Sequence, residues 1–265
     1  SDGIIKEVGN IDYIINLASE SHVDNSIEYP VPFIQNNINL VLHLLEWCRG
    51  LKGLKKFIQF STDEVYGTAP KSYDYVEGCR HNPGNPYSAS KSAQESICRA
   101  YANTYNLPII ITNTMNIIGE RQHHEKFVPL VINKVLNSEV VTIHADKTKT
   151  KAGTRFYIHA RNVADAVHFL IKNCDEQLDK IDASKGQYNI VGELEIDNLS
   201  LARMIAYILE KELKYEMVDF HSSRPGHDLR YALDGFKTKL EWKIPKDFDE
   251  TLKNTVLWTI DRGYK

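Results

Sequence analysis

Two short runs in this sequence hold side chains that could do chemistry. In Tyr87-Ser88-Ala89-Ser90-Lys91 a phenol and an ammonium stand four residues apart, which on a helix puts both on one face, a turn apart. A cation beside a phenol stabilises the phenolate and draws its pKa of about 10 towards neutrality, giving a base for a sugar or alcohol hydroxyl. Taken alone, the spacing also fits a surface tyrosine beside a solvated lysine. In Ser61-Thr62-Asp63-Glu64-Val65-Tyr66-Gly67, two hydroxyls and two carboxylates follow an apolar run. If that run is a parallel strand, its carboxyl end is where open α/β sheets hold ligands. Carboxylates buried there unpaired are costly, so they imply solvent, a ligand or strong partners. The alternative is a capped turn, for which Asp and Thr are good residues.

The elements that must position these runs alternate strand and helix. Residues 12–18 read as a strand buried on both faces, 31–49 as a helix with Leu40, Leu44, Leu45 and Cys48 at helical spacing, and 56–62 as the next strand. Pro83-Gly84-Asn85-Pro86 is turn chemistry; residues 87–106 form a long helix with Ala93, Ile97, Ala100, Tyr101 and Thr104 on one side, and 109–115 a β-branched strand. This alternation predicts a parallel α/β sheet with right-handed crossovers. Beyond Gly119 the reading is a helix at 126–136, a strand at 140–144 and a lysine-rich solvated loop at 146–153. Asn162 is expected to cap a helix reaching about Lys172, and strands at 188–191 and 215–220 alternate with helices at 198–211 and 249–262.

Composition fits a soluble, folded chain: 265 residues, 42% hydrophobic, 25% charged, and a net charge of −3 from 32 basic and 35 acidic side chains. It argues against disorder and low complexity. No apolar run approaches the roughly 18 residues of a membrane helix, no signal-peptide pattern opens the chain, and the slightly acidic balance gives no reason to expect nucleic acid. Cys48, Cys79, Cys98 and Cys174 form no CxxC pair, so free thiols in a reducing, cytoplasmic setting are expected. His123-His124 is the one histidine doublet; neighbours in sequence do not share a helix face, and no metal site is expected.

Four motifs together resemble one family. Asn16-Leu17-Ala18-Ser19-Glu20-Ser21-His22-Val23-Asp24, the 61–67 run, the 87–91 run, and Arg224-Pro225-Gly226-His227-Asp228 with Arg230-Tyr231 resemble the nucleotide-sugar branch of the extended short-chain dehydrogenases/reductases, nearest its dTDP-glucose 4,6-dehydratases. Their order and spacing match over nearly the whole chain. The Asp63-Glu64 doublet is the discriminating feature. Related 4-epimerases usually lack it, and sugar-acid decarboxylases and GDP-mannose dehydratases commonly have Ser where Asp63 stands.

The resemblance implies a Rossmann-type parallel sheet with a smaller C-terminal α/β substrate-binding lobe. Residues 1–118 would form the C-terminal half of the NAD-binding domain, with a return contribution near 155–175, and 119–265 mainly the sugar-nucleotide lobe. It implies an NAD-dependent dehydration of a nucleoside-diphosphate hexose, dTDP- or UDP-glucose, to the 4-keto-6-deoxy sugar. Tyr87, assisted by Lys91 and Thr62, would take the O4 proton, Glu64 the C5 proton, and Asp63 would protonate O6. A 4-epimerase, or a relative that binds sugar nucleotides without turnover, is the alternative. Cofactor contacts carried over are Leu17, Ala18, Ser19, Glu20, Ser21, Asn36, Ser61, Tyr87 and Lys91. Substrate contacts carried over are His22, Thr62, Asn116, Lys126, Phe127, Arg155, Asn189, Arg224 and His227; guanidinium forks at Arg155 and Arg224 suit a diphosphate. A homodimer, through the helix after Pro30 and the helix at 87–106, is also implied.

The chain departs from the family in places. Ile117, Ile118, Gly119 and Glu120 stand where a second Asn, an aromatic and Gly-Pro are usual, Arg161-Asn162 replaces an acidic pair, and 146–153 is longer and more basic than the usual turn. No GxxGxxG turn opens the sequence, and its first strand resembles the family's fourth. About 60 residues, two βαβ-sized pieces, are therefore expected to be missing, so that the chain as given is expected to be truncated, to bind NAD poorly and to be inactive.

Overall fold

In the computed structural model, the described residues are 10–220, 229–235 and 242–262. Strands β2 (Lys56–Thr62) and β3 (Ile109–Thr114) are buried at every residue, as strands enclosed on both faces of a parallel sheet should be. β1 (Tyr13–Asn16) lies parallel to β2, in register from Tyr13↔Lys56 to Asn16↔Gln59. β2 lies parallel to β3, from Phe57↔Ile109 to Thr62↔Thr114. With β7 (Gln187–Ile190) the sheet runs β1-β2-β3-β7. The crossovers are helical: α1 (Val23–Glu28) and α2 (Pro30–Arg49) between β1 and β2, and α3 (Pro86–Tyr105) between β2 and β3. A sheet that adds each strand beside its predecessor through helices is one wing of a Rossmann-type sheet.

This sheet belongs to a unit formed by residues up to Gly67, Tyr75–Thr114 and Asn173–Asn189. The segment that returns to it is thus 173–189, later than the 155–175 expected. Its apolar core joins Val41, Leu45 and Cys48 of α2, Phe57, Ile109 and Ile111 of the sheet, and Cys98 and Ala102 of α3.

Three expectations are corrected here. β1 has four residues, not seven, and Tyr13 and Ile15 are 42% and 41% exposed, because β1 is the edge of the sheet among the described residues. The buried face of α3 is Ser88, Ser90, Lys91, Gln94, Glu95, Cys98 and Ala102; Ala100 and Thr104 of the apolar side are exposed and Ala93, Ile97 and Tyr101 only half-buried. Asn162 does not cap a helix, since α5 spans Ala160–Asn173. Its buried amide instead donates to the Lys246 carbonyl at 2.8 Å and accepts from the Lys246 N–H at 3.2 Å.

The second unit comprises Thr68–Asp74, Met115–Lys172 and the chain from Ile190 onward. β6 (Thr154–His159) pairs parallel with β4 (Asn116–Ile118) and antiparallel with β8 (Glu195–Asp197), while β5 (Val141–Ala145) pairs parallel with β9 (Tyr215–Asp219). The three-residue β4 and β8, like the six-residue α1, lack the length that makes periodicity legible, whereas β6, as long as β3, is hidden by its polar Thr154, Arg155 and His159. Helices α4 (Phe127–Leu136), α6 (Asn198–Ile208) and α7 (Phe248–Arg262) close an apolar core around Val131, Ile132, Val135, Leu201, Ile205, Leu252 and Val256. Residues 146–153 form a turn, as expected, in which Asp146 Oδ1 accepts from the N–H groups of Thr150 and Lys151 at 2.9 and 3.1 Å.

Candidate active site

The carboxyl end of β2 turns into a single 3₁₀ turn, Asp63–Tyr66, because the Thr62 hydroxyl accepts from the Glu64 N–H at 3.4 Å and Gly67 ends the turn at φ 75°. A Cβ on Gly67 would stand 2.3 Å from the Asn82 carbonyl oxygen, so glycine is required there. The turn sets two different carboxylate environments. Asp63 is buried, its Oδ1 accepting from the Thr62 hydroxyl at 2.9 Å. Glu64 is half-buried, its Oε2 accepting from the Asn85 amide at 3.2 Å. Asn85 is also the N-cap of α3 and shares a capping box with Ser88. One residue therefore starts the helix that carries Tyr87 and holds Glu64.

Tyr87 and Lys91 lie one turn apart on α3, as the spacing requires, and the Tyr87 and Thr62 hydroxyls are hydrogen-bonded. The ammonium, however, is not directed at the phenol. Lys91 Nζ donates to the Phe60 carbonyl at 2.7 Å and to Gln94 Oε1 at 2.8 Å. Burial and the charges of Glu64 and Asp63 hold the Tyr87 phenol above its ordinary value, against the Thr62 hydrogen bond, so the expected lowering by Lys91 is not found. Burial pulls Lys91 down to about 8, against the charge of Glu95. Glu95, another turn along α3, is fully buried and accepts from Asn113 at 2.7 Å and Gln187 at 3.3 Å, with His81 Nε2 at 3.4 Å.

Residues 17–21 follow β1 as an exposed loop. Asn37, not Asn36, holds it: the buried Asn37 amide accepts from the Glu20 N–H at 2.8 Å and donates to the Glu20 carbonyl at 3.1 Å, whereas Asn36 is exposed. The resemblance named Asn36, but helix phase turns Asn37 inward instead. His22 caps α1, its Nδ1 accepting from the Asn25 N–H at 3.4 Å. Ser61 is buried, and its hydroxyl has no hydrogen-bond partner among the described residues. Two of the three N–H donors of Lys91 are used, and both Lys91 and Ser61 belong to β2 or the helix above it. An open ammonium donor and an unbonded hydroxyl suit a polyhydroxyl ligand such as a nucleotide ribose.

The remaining candidates are placed as follows. Asn189 is buried and bound within the first unit, its N–H to Glu77 at 2.8 Å and its amide to the Tyr75 carbonyl at 3.0 Å. In the second unit, Asn116 is exposed on β4, Lys126 occupies the N-cap of α4, and Phe127 packs on the core. Arg155 is buried, donates to the carbonyls of Thr154 at 2.6 Å and Leu229 at 3.0 Å, and stacks over Tyr231 at 4.4 Å. Arg224 and His227 lie outside the described residues. His123, His124 and Glu125 are in a turn rather than a helix, so the helix-face argument does not apply to them; one ligand atom from each lies within 4.8 Å of the others, all solvent-exposed. Two departures from the family pattern prove to be partners: Arg161 donates to Glu120 Oε1 at 3.2 Å, and the buried His159 Nε2 lies 3.2 Å from Glu120 Oε2.

Known proteins share this fold and much of this sequence. The family described as GDP-mannose 4,6 dehydratase matches residues 2–255. The dTDP-glucose 4,6-dehydratase of Xanthomonas campestris is 34% identical, over 93% of this chain and 72% of that protein. The crystal structure of DesIV, a dTDP-glucose 4,6-dehydratase from Streptomyces venezuelae with NAD bound, superposes with a TM-score of 0.82 at 30% identity, covering 95% of this chain and 74% of that one. The NAD complex of Thermus thermophilus UDP-glucose 4-epimerase gives a TM-score of 0.87 at 25% identity, over 98% and 81%.

Proposed function

The chain belongs to the GDP-mannose 4,6 dehydratase family, within the extended short-chain dehydrogenases/reductases, and from that premise we propose that the native protein dehydrates dTDP- or UDP-glucose to the 4-keto-6-deoxy sugar. It is an enzyme of the hydro-lyase type, and its cofactor is NAD. The observation that carries the dehydratase reading is the Asp63-Glu64 pair in the turn next to Thr62 and Tyr87, with one carboxylate buried and the other held by Asn85.

NAD, when bound, would supply a hydride acceptor for C4 and a hydride donor for C6, with a proton returning to C5 as the C6 hydride arrives. Tyr87 takes the proton from the sugar O4 as its phenolate, with Thr62 as its hydrogen-bonded neighbour and Lys91 as the nearby cation. Burial and the charges of Glu64 and Asp63 keep the phenol protonated in the chain by itself, so the positive charge of NAD⁺ would be needed to draw that proton off. With a ketone at C4, the C5–H is acidic, and Glu64, half-exposed and held at one oxygen, removes it. Asp63 gives a proton to O6 as water leaves. Different surroundings suit the two carboxylates to opposite proton roles. Ser61, with Lys91 and the loop at 17–21, is assigned to the cofactor, and residues 1–118 to the cofactor domain. His22, Asn116, Lys126, Phe127, Arg155, Asn189, Arg224 and His227 are assigned to the sugar nucleotide, mainly in the 119–265 lobe. A homodimer through α2 and α3 and a cytoplasmic location complete the reading; sedimentation tests the first.

Full-length native protein incubated with dTDP- or UDP-glucose in D₂O should yield a 4-keto-6-deoxy product carrying deuterium at C5. A clean C4 epimer instead would establish an epimerase and sink the dehydratase reading. Asp63→Asn separates the two, because an epimerase needs no acid for O6 and would lose little turnover.

A further inference from the structure

Lys91 is held by a buried amide, and its setting is unusually closed. Asn16, at the end of β1, donates from its amide to Gln59 Oε1 at 2.8 Å. Gln59, on β2, donates to Gln94 Oε1 at 3.2 Å and to the Phe60 carbonyl at 2.9 Å. Gln94, on α3, donates to the Asn37 carbonyl of α2 at 2.7 Å, and its Oε1 accepts from both Gln59 and Lys91. Gln59, Gln94 and Asn37 are 0% exposed. The Gln94 amide can take only one orientation. Flipped, its NH₂ would face two donors, one of them an ammonium, and its oxygen would face a carbonyl. Both lone pairs of Oε1 are used, so this acceptor is saturated by Gln59 and Lys91.

We propose that Gln94 is a positioning residue for the base pair: its locked amide fixes the Lys91 ammonium and favours its charged form. Nothing in the Y-x-x-x-K spacing requires it; an Ala at 94 would keep the same helix. The titratable groups bearing on Lys91 are Glu95 and Cys98, with Tyr87 a turn back, all on α3. β2 and α2 meet this network with carbonyls and neutral amides. Removing the Gln94 acceptor therefore withdraws the one side-chain hydrogen bond that, among the described residues, stabilises the ammonium.

The kinetic arm rests on the dehydratase reading; the titration arm does not. In the full-length native protein, Gln94→Met, close in size but without an acceptor, should lower kcat about 10-fold with the sugar KM within about two-fold. It should also move the Lys91 titration, followed by NMR of ¹³C-labelled lysine, to lower pH. Gln94→Glu, which restores an acceptor, should move that titration to higher pH than in the unsubstituted protein. A Lys91 titration unchanged in Gln94→Met overturns the proposal. If that variant does not fold, an unchanged titration in Gln94→Glu overturns it. If the unsubstituted protein turns over no sugar nucleotide while the titrations move as stated, the dehydratase reading fails and the positioning role stands.

Discussion

Helix α3 turns Ser88, Ser90, Lys91, Gln94 and Glu95 inward, while α4, in the other unit, turns Val128, Pro129, Val131, Ile132 and Val135 inward. Apolar burial has no direction, so the face of α4 contributes in proportion to area, and volume-conserving exchanges are tolerated. Each polar group on α3 must instead meet a named partner or leave a desolvated group behind. Its network carries little stability per side chain but fixes where each proton and charge sits. The same helical geometry thus serves cohesion in one unit and placement in the other.

The comparison sharpens at Tyr87→Phe. Loss of the phenolic hydroxyl should lower turnover about 10³-fold or more, since both proton transfer and its alignment are lost, with the urea midpoint almost unmoved. Ile132→Ala on α4 should do the reverse. The unfolding free energy should fall by about 2–5 kcal/mol, measured by urea denaturation, while the folded fraction keeps its kcat. A large kcat loss there without unfolding would break the distinction.

Lys91→Met tests the middle ground. Because burial lowers Lys91 from its ordinary 10.5 to about 8 in the folded protein, the unfolded chain binds the extra proton between those values. This residue's contribution to stability therefore rises with pH across that window and is least favourable below about 8. Lys91→Met should abolish turnover, and its stability relative to the unsubstituted protein should be greatest below pH 8 and decline towards 10.5. A relative stability flat with pH would show that Lys91 is not held against its own burial.

Asn85→Ala should cost the fold only about 1 kcal/mol, for a lost N-cap. It also releases Glu64, so the elimination step should slow while C4 oxidation continues, seen as a rise in steady-state 340 nm absorbance during turnover. Equal slowing of both steps would return Asn85 to a purely structural part.

How much of this was legible depends on range. The long helices and the buried strands β2 and β3 follow from local periodicity, as does the shared face of Tyr87 and Lys91. The Asn85 cap is also local, an Asn before Pro with Ser three residues on. The edge position of β1 is not local, and neither is the choice of Asn37 over Asn36, neighbours about 100° apart around the helix. The inner face of α3 was misread because it is the polar one: hydrophobic periodicity marks an inward face only when burial is apolar. Glu120 and Arg161, each a departure in sequence, make sense only as the pair they form in space.

By itself, the sequence determined the class of sheet, the family, and the inventory of a phenol, an ammonium, two hydroxyls and two carboxylates at spacings fit for acid-base chemistry. The direction of each group was decided by tertiary structure. The Lys91 ammonium points to Phe60 and Gln94, Asn85 reaches Glu64, and Asn37 clamps the loop after β1. Side-chain hydrogen bonds act over about 3 Å between residues far apart in the chain. Backbone periodicity fixes which face a side chain leaves from, and only the neighbouring elements fix what it meets.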